Sequence, residues 1–198
     1  KSDYFFQKFP ERSFEVGIAE ANAIGVATGL GLSGFKPVLS SFGAFLSGKN
    51  IEIRTSIAYN NANVVLIGTH GGLIGPDGAT QSGIQDISVM RSIPRFEVFQ
   101  PSTPIMTKKI LEYCLNSNSP SYIRVARNEV PEIYHEDLEF TCGSFYFHSD
   151  FSDINIISSG PMLHNCIEAG EKLRKNHNLK IGIIDFPTYK PLKKQKIL

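Results

Sequence analysis

Apolar residues along this chain fall into short unbroken runs separated by stretches of helical spacing. Val38-Leu-Ser-Ser-Phe42, entered through Pro37, predicts a strand, and the segment after it has helical periodicity to about Tyr59. Asn63-Val-Val-Leu-Ile-Gly-Thr-His70 reads as a buried strand that turns polar at its end. Beyond a glycine-rich loop over residues 71–86, the pattern predicts a short helix over 87–92 and a strand over 96–99. A helix over 104–115 and a strand over 121–127 follow. Strands that are apolar throughout must be covered on both faces, and strands that alternate with helices pair in parallel. The expected class is α/β, a parallel sheet with helices on both faces.

From residue 128 to about 153 the pattern lapses into a polar, proline-containing stretch that carries aromatics, read as a linker with some extended pairing. A fresh strand over 154–160, an amphipathic helix over 164–177 and a strand over 180–187 come next. One such unit is too small to bury a core alone. The expected organisation is therefore a first domain over 1–137, a linker over 138–152 and a truncated second α/β domain over 153–198. The first domain begins without an initiator Met and without an opening strand, so a fragment or trimmed chain is expected.

Composition narrows the function. With 198 residues, 41% of them hydrophobic, the chain has the make-up of a globular protein with a real core. Lys and Arg total 20 against 19 Asp and Glu, which gives no one-signed field to hold nucleic acid or an anionic membrane. The longest apolar runs are too short to cross a bilayer and the N-terminus has no signal-peptide core, so the cytosol is the expected compartment. Cys114, Cys142 and Cys166 form no C-x-x-C pair, and neither a disulfide framework nor a zinc site is expected.

Two candidate sites lie close together near the N-terminus. Gly29-Leu-Gly31-Leu-Ser-Gly34 spells a dinucleotide fingerprint, but such glycines must follow a strand and open a helix. Here they follow the helical stretch 19–28 and precede Pro37, so Gly34 reads as a helix C-cap. Glu20 stands at the carboxyl end of an expected strand, where open α/β sheets place ligands. An isolated carboxylate in apolar surroundings has its pKa raised and can share a proton. The alternative is an exposed first-turn glutamate favoured by the helix dipole.

Taken in order, residues 9–22 ("FPERSFEVGIAEAN"), 37–45 ("PVLSSFGAF"), 53–59 ("IRTSIAY"), 63–80 ("NVVLIGTHGGLIGPDGAT"), 90–102 ("MRSIPRFEVFQPS") and 120–127 ("PSYIRVAR") carry a resemblance. They resemble the pyrimidine-binding domain of thiamine diphosphate enzymes of the transketolase type. The stretches 154–160 and 181–192 are similar to the start of that family's C-terminal domain. The resemblance implies that Glu20 is catalytic, hydrogen-bonding the cofactor's aminopyrimidine ring nitrogen, and that Phe42 and Phe45 seat the pyrimidine. It implies a catalytic role with a donor-sugar contact for His70, a hydroxyl contact for Asp77 and a phosphate contact for Arg127. Arg124, upstream on the same expected strand, is the rival for that last role, and ordinary core packing or turn chemistry is the rival for Phe42, Phe45 and Asp77.

The chain departs from the family pattern at three places. Gln81 stands where a substrate-binding histidine is common, Ala21 replaces a glutamine, and Gly48 replaces an aromatic. An amide hydrogen-bonds but carries no charge, so the donor is expected to differ from an ordinary pentulose phosphate. The G-D-G signature that holds diphosphate and its Mg2+ or Ca2+ is absent from the sequence. The resemblance then implies a ketol transferase that is inactive without a diphosphate-binding domain or subunit, in a homo- or hetero-oligomer. A deoxyxylulose phosphate synthase, a 2-oxo acid dehydrogenase beta subunit and a non-catalytic assembly module are the alternatives.

Overall fold

Successive residues of a strand point to opposite faces of the sheet, and Val64-Val-Leu-Ile67 is apolar on both. Val64 and Leu66 join one core with Ile24, Leu46, Ile53, Ile57, Met90 and Tyr122. Val65 and Ile67 join the other with Phe99, Met106, Ile110, Cys114 and Ile123. Both cores are visible in a computed structural model, which describes residues 3–73, 77–150 and 152–192. Residues 74–76 of the glycine loop and the terminal 193–198, both within segments read above, lie outside the described residues.

The chain opens with helix α1 (Asp3–Lys8) and a short 3-10 turn (Pro10–Arg12), then enters α2 (Glu20–Leu32) and strand β1 (Val38–Phe42). Helices α3 (Gly43–Ser47) and α4 (Asn50–Glu52) lead into a π turn (Ile53–Ala58), and β2 (Val65–Thr69) follows. Next come α5 (Asp86–Ser92), β3 (Glu97–Phe99), α6 (Pro104–Asn116) and β4 (Ser121–Arg124). The second unit contains β5 (Tyr146–Ser149), β6 (Ile154–Ser158), α7 (Met162–His177) and β7 (Ile181–Asp185), and the last strand is β8 (Thr188–Lys190).

The first sheet has the order β1-β2-β4-β3-β8, and its first four strands are parallel. Helix α2, α3, α5 and the π turn cover one face and α6 the other, so the expected α/β class is observed. The second sheet, β5-β7-β6, packs Ile181 and Ile183 against Leu163 of α7. Residues 128–146 lie against the second core, to which Tyr134, Leu138, Phe140 and Cys142 contribute.

Local chemistry sets the boundaries. Pro104 opens α6, and the Thr103 side chain accepts from Met106 N at 3.2 Å, a cap worth about 1 kcal/mol. Helix α2 ends as its sequence foretells: Gly34 has φ +90°, its N–H reaches Gly31 O, and the Phe35 N–H reaches Leu30 O. The glycines therefore close a helix and open none. Lys36 Nζ donates to Asn63 Oδ1 and to the carbonyl of Ser117 at the end of α6. Burial holds the Lys36 ammonium below its ordinary pKa.

Three details differ from the sequence reading. Residues 13–19 form no strand, so Glu20 does not stand at a strand end but is the first residue of α2. The helical stretch to Tyr59 is broken, because Gly48 caps α3 and the later turn widens until Tyr59 N–H reaches Arg54 O, five residues back. Strand β4 stops at Arg124, which leaves Arg127 in the following turn.

Candidate active site

Parallel strands deliver their carboxyl ends to one side of the sheet, and the ends of β1 and β2 are Phe42 and Thr69. His70 follows Thr69 with φ +55°, an uncommon left-handed conformation for a residue with a side chain. The turn lays its imidazole on the Phe42 ring, with centroids 3.8 Å apart and planes 18° from parallel. Phe45, in the first turn of α3, also stacks on Phe42, with centroids 5.2 Å apart and planes 3° from parallel. Three flat rings thus stand together, and Phe45 remains 36% exposed.

Glu20 joins them through β1. The Ser41 hydroxyl donates to Glu20 Oε1 at 2.9 Å, so this half-buried carboxylate is held by a hydroxyl and is not isolated in apolar surroundings. The Ser41 carbonyl accepts from Thr69 Oγ1 at 3.3 Å, and Thr69 Oγ1 lies 3.0 Å from His70 Nδ1. Because the Thr69 proton goes to Ser41, Thr69 accepts from Nδ1–H, which makes Nε2 the acceptor nitrogen of the neutral ring. Glu20, Phe42, Phe45 and His70 are therefore one connected group. Ser41 and Thr69, its connectors, were not singled out from sequence, although Ser40-Ser41 is a polar break in an otherwise apolar strand.

The other expected site residues form a second group. Asp77 and Arg127 make an ion pair at the surface, with side chains 32% and 40% exposed. Gln81 accepts from the Thr80 hydroxyl, and its N–H closes a turn onto Gly78 O. The loop returns to the first group at Gly83, whose N–H donates to His70 O at 3.2 Å.

Arg124 is engaged inside the protein. Its Nη2 donates to Gly83 O at 2.6 Å and lies 3.1 Å from Asp86 Oδ1, and its Nη1 reaches Gln100 Oε1 at 3.4 Å. Tyr122 donates to Asp86 Oδ2 at 2.6 Å, and burial together with the Asp86 charge pushes that hydroxyl well above its ordinary pKa. This cluster was missed from sequence, apart from Arg124 itself.

An aminopyrimidine presents a flat π-face and ring nitrogens, and the stacked rings beside a hydroxyl-held carboxylate match both. A diphosphate with its divalent metal needs clustered oxygen ligands. Among the described residues no group of three or more His, Cys, Asp or Glu is placed to hold a metal ion.

Residues 1–132 match the family described as "Transketolase, pyrimidine binding domain", and residues 143–198 match "Transketolase, C-terminal domain". The chain is 36% identical over 197 residues to a "Putative transketolase C-terminal section" of Methanocaldococcus jannaschii, covering 98% of this chain and 62% of that protein. It is 33% identical over 189 residues to one of the subunits of an apulose-4-phosphate transketolase of Actinobacillus succinogenes, covering 94% of this chain and 60% of that one. A solved structure described as "Split gene transketolase, inactive beta4 tetramer" superposes with TM-score 0.89 at 34% identity, over 98% of this chain and 64% of that one. The chain thus spans about three fifths of the length of these curated relatives. With two consecutive family matches, relatives of this similarity and a shared fold, the chain belongs to the transketolase family.

Proposed function

We propose that this chain provides the pyrimidine-binding side of a thiamine diphosphate-dependent transketolase, which moves a two-carbon ketol unit between phosphorylated sugars. The observation that carries the reading is Glu20, fixed by Ser41 beside the stack of Phe42, Phe45 and His70. When bound, thiamine diphosphate supplies the electron sink for breaking and making the carbon–carbon bond. The protein's part is to bind, orient and move protons. Phe42 and Phe45 seat the pyrimidine, and Glu20 shares a proton with its ring nitrogen. His70 Nε2, the acceptor nitrogen, takes a hydrogen bond from a donor hydroxyl. Asp77 binds a second hydroxyl, Gln81 contributes a neutral hydrogen bond, and Arg127 grips the phosphate.

The metal-bound diphosphate belongs, on this reading, to a second domain or subunit, which carries Mg2+ or Ca2+ and without which the chain is inactive. Apolar exposure beside Glu20 supports such a partner: Ile18 is wholly exposed, and Phe14 and Val26 are also open to solvent. Apart from neighbouring residues of α2 itself, nothing described lies within 4 Å of where a Cβ would stand at Gly25 or Gly29. None of the three cysteines forms a disulfide and no described helix is long and apolar enough to cross a membrane, which suits a cytosolic oligomer.

The test is Glu20→Ala in the complete complex, followed by ketol transfer from a ketose phosphate and by proton exchange at the cofactor's C2. Loss of both is expected. Retention of both overturns the assignment, and carbon dioxide release from pyruvate by the unaltered complex moves it to a deoxyxylulose phosphate synthase or 2-oxo acid dehydrogenase.

A further inference from the structure

Against the turns that carry the stacked rings lies a charged cluster to which the reading above gives no ligand. Tyr122 and Arg124, alternate residues of β4, point to the same face of the sheet and meet Asp86 there. Tyr122 and Asp86 are fully buried and the Arg124 side chain is 14% exposed. The cluster occupies the space that three side chains would need. A Cβ at Gly43 would lie 2.9 Å from the Tyr122 hydroxyl and 3.0 Å from Asp86 Oδ2. One at Gly68 would lie 1.9 Å from the same hydroxyl, and one at Gly71 would lie 2.3 Å from Arg124 Nε.

These glycines have distinctive positions. Gly43 follows Phe42, and Gly68 and Gly71 bracket Thr69 and His70. None of the three has positive φ, so what glycine provides here is close approach and not a special torsion. Arg124 adds a direct tie: Gly83 O, which takes its Nη2 proton, also accepts from Gly72 N, while Gly83 N donates to His70 O. The backbone before and after His70, and the turn after Phe42, therefore rest on one cluster joined by the Tyr122–Asp86 hydrogen bond and the Asp86–Arg124 ion pair.

We propose that Tyr122, Asp86 and Arg124 are positioning residues that set the spacing of Phe42 and His70, and with it the fit and orientation of the pyrimidine. This rests on the reading of the site given above. Asp86 orients both partners, Tyr122 supports the two strand ends through Gly43 and Gly68, and Arg124 clamps the loop through Gly83. The Arg124 and Asp86 charges face each other at 3.1 Å.

The experiment uses the complex with its diphosphate-binding partner, titrated with thiamine diphosphate, and reads cofactor affinity, C2 proton exchange and Tm. Tyr122→Phe removes only the hydroxyl that binds Asp86. It is expected to weaken cofactor affinity and slow exchange by about tenfold each, the scale of one hydrogen bond to a charged group, with assembly intact. Arg124→Met is expected to do the same and Arg124→Lys, which keeps a charge and a donor for Gly83 O, to recover part of the loss. Tyr122→Phe with unaltered affinity and exchange overturns the proposal, whether or not Tm falls. Glu20→Ala run in parallel separates the two readings: if it leaves exchange intact, the site assignment itself fails, and if it abolishes exchange while Tyr122→Phe does nothing, only the positioning role fails.

Discussion

Ser41 Oγ donates to Glu20 Oε1 at 2.9 Å, joining the end of a strand to the first residue of a helix 21 positions earlier. The bond fixes the direction of a carboxylate whose work needs direction. Ser41→Ala keeps the carboxylate and frees it to turn. Turnover of the complete complex is expected to fall about tenfold, the scale of one hydrogen bond to a charged group, whereas Glu20→Gln costs roughly a hundredfold or more. Steady-state kinetics check both, and equal rates for Ser41→Ala and the unaltered protein would remove the orienting role.

Asp77 and Arg127 form an exposed ion pair, a kind of contact worth about 0–1 kcal/mol to folding. If the pair matters, it matters for binding. Arg127→Ala is therefore expected to leave Tm nearly unchanged and to raise KM for a phosphorylated acceptor about tenfold or more, with a smaller effect on an unphosphorylated one. An equal rise for both acceptors would refute the phosphate contact.

Asp185, at the end of β7, is fully buried, and burial pushes its pKa from 3.8 up to about 6. Ser102 and Tyr134 donate to it at 2.5 and 2.9 Å and His164 acts through its charge, each opposing that rise in part. A raised acid binds more protons in the folded state, so its stabilising effect is complete below about pH 4 and is lost as pH rises through 6. Asp185→Asn cannot ionise. Urea unfolding at pH 4 and pH 7.5 should show the variant gaining on the unaltered protein by on the order of 3 kcal/mol across that interval. A constant difference would show that Asp185 does not titrate in this window.

Gly170, in α7, faces β7, where a Cβ would lie 2.6 Å from Ile183 Cδ1. Alanine usually strengthens a helix by about 1 kcal/mol over glycine, but here the Ile183 Cδ1 must move within a fully buried core, and that repacking opposes the gain. Gly170→Ala is expected to lower stability by about 1–2 kcal/mol. Ile183→Val deletes the colliding methyl, so the double variant should recover much of the loss, and thermal melts of the single and double variants decide it.

Legibility followed the range over which each feature is determined. Val64–Val–Leu–Ile67 announced a doubly covered strand, and Pro104 and Gly34 announced helix ends, because each depends on its immediate neighbours. Glu20, Phe42, Phe45 and His70 were legible from a resemblance of motifs, and the structure brings them into one connected group. Strand β8 was not legible: three residues between two prolines carry no periodicity, and their pairing is fixed by an edge left open far away in sequence. The role of Arg124 was hidden for the same reason, since its partners Asp86 and Gly83 come from a different loop and helix.

Strand β8 has an implication for inheritance. It lies beside β3 in antiparallel register, Phe99 opposite Thr188 and Val98 opposite Lys190, so an edge strand of the first sheet is encoded after β7 of the second unit. Recombination that exchanged the leading segment alone would put a foreign strand against β3 or leave its amides bare, an opening for mispairing. Descent should therefore favour variants in which the two coding regions travel together, with substitutions near Val98 answered by substitutions near Thr188.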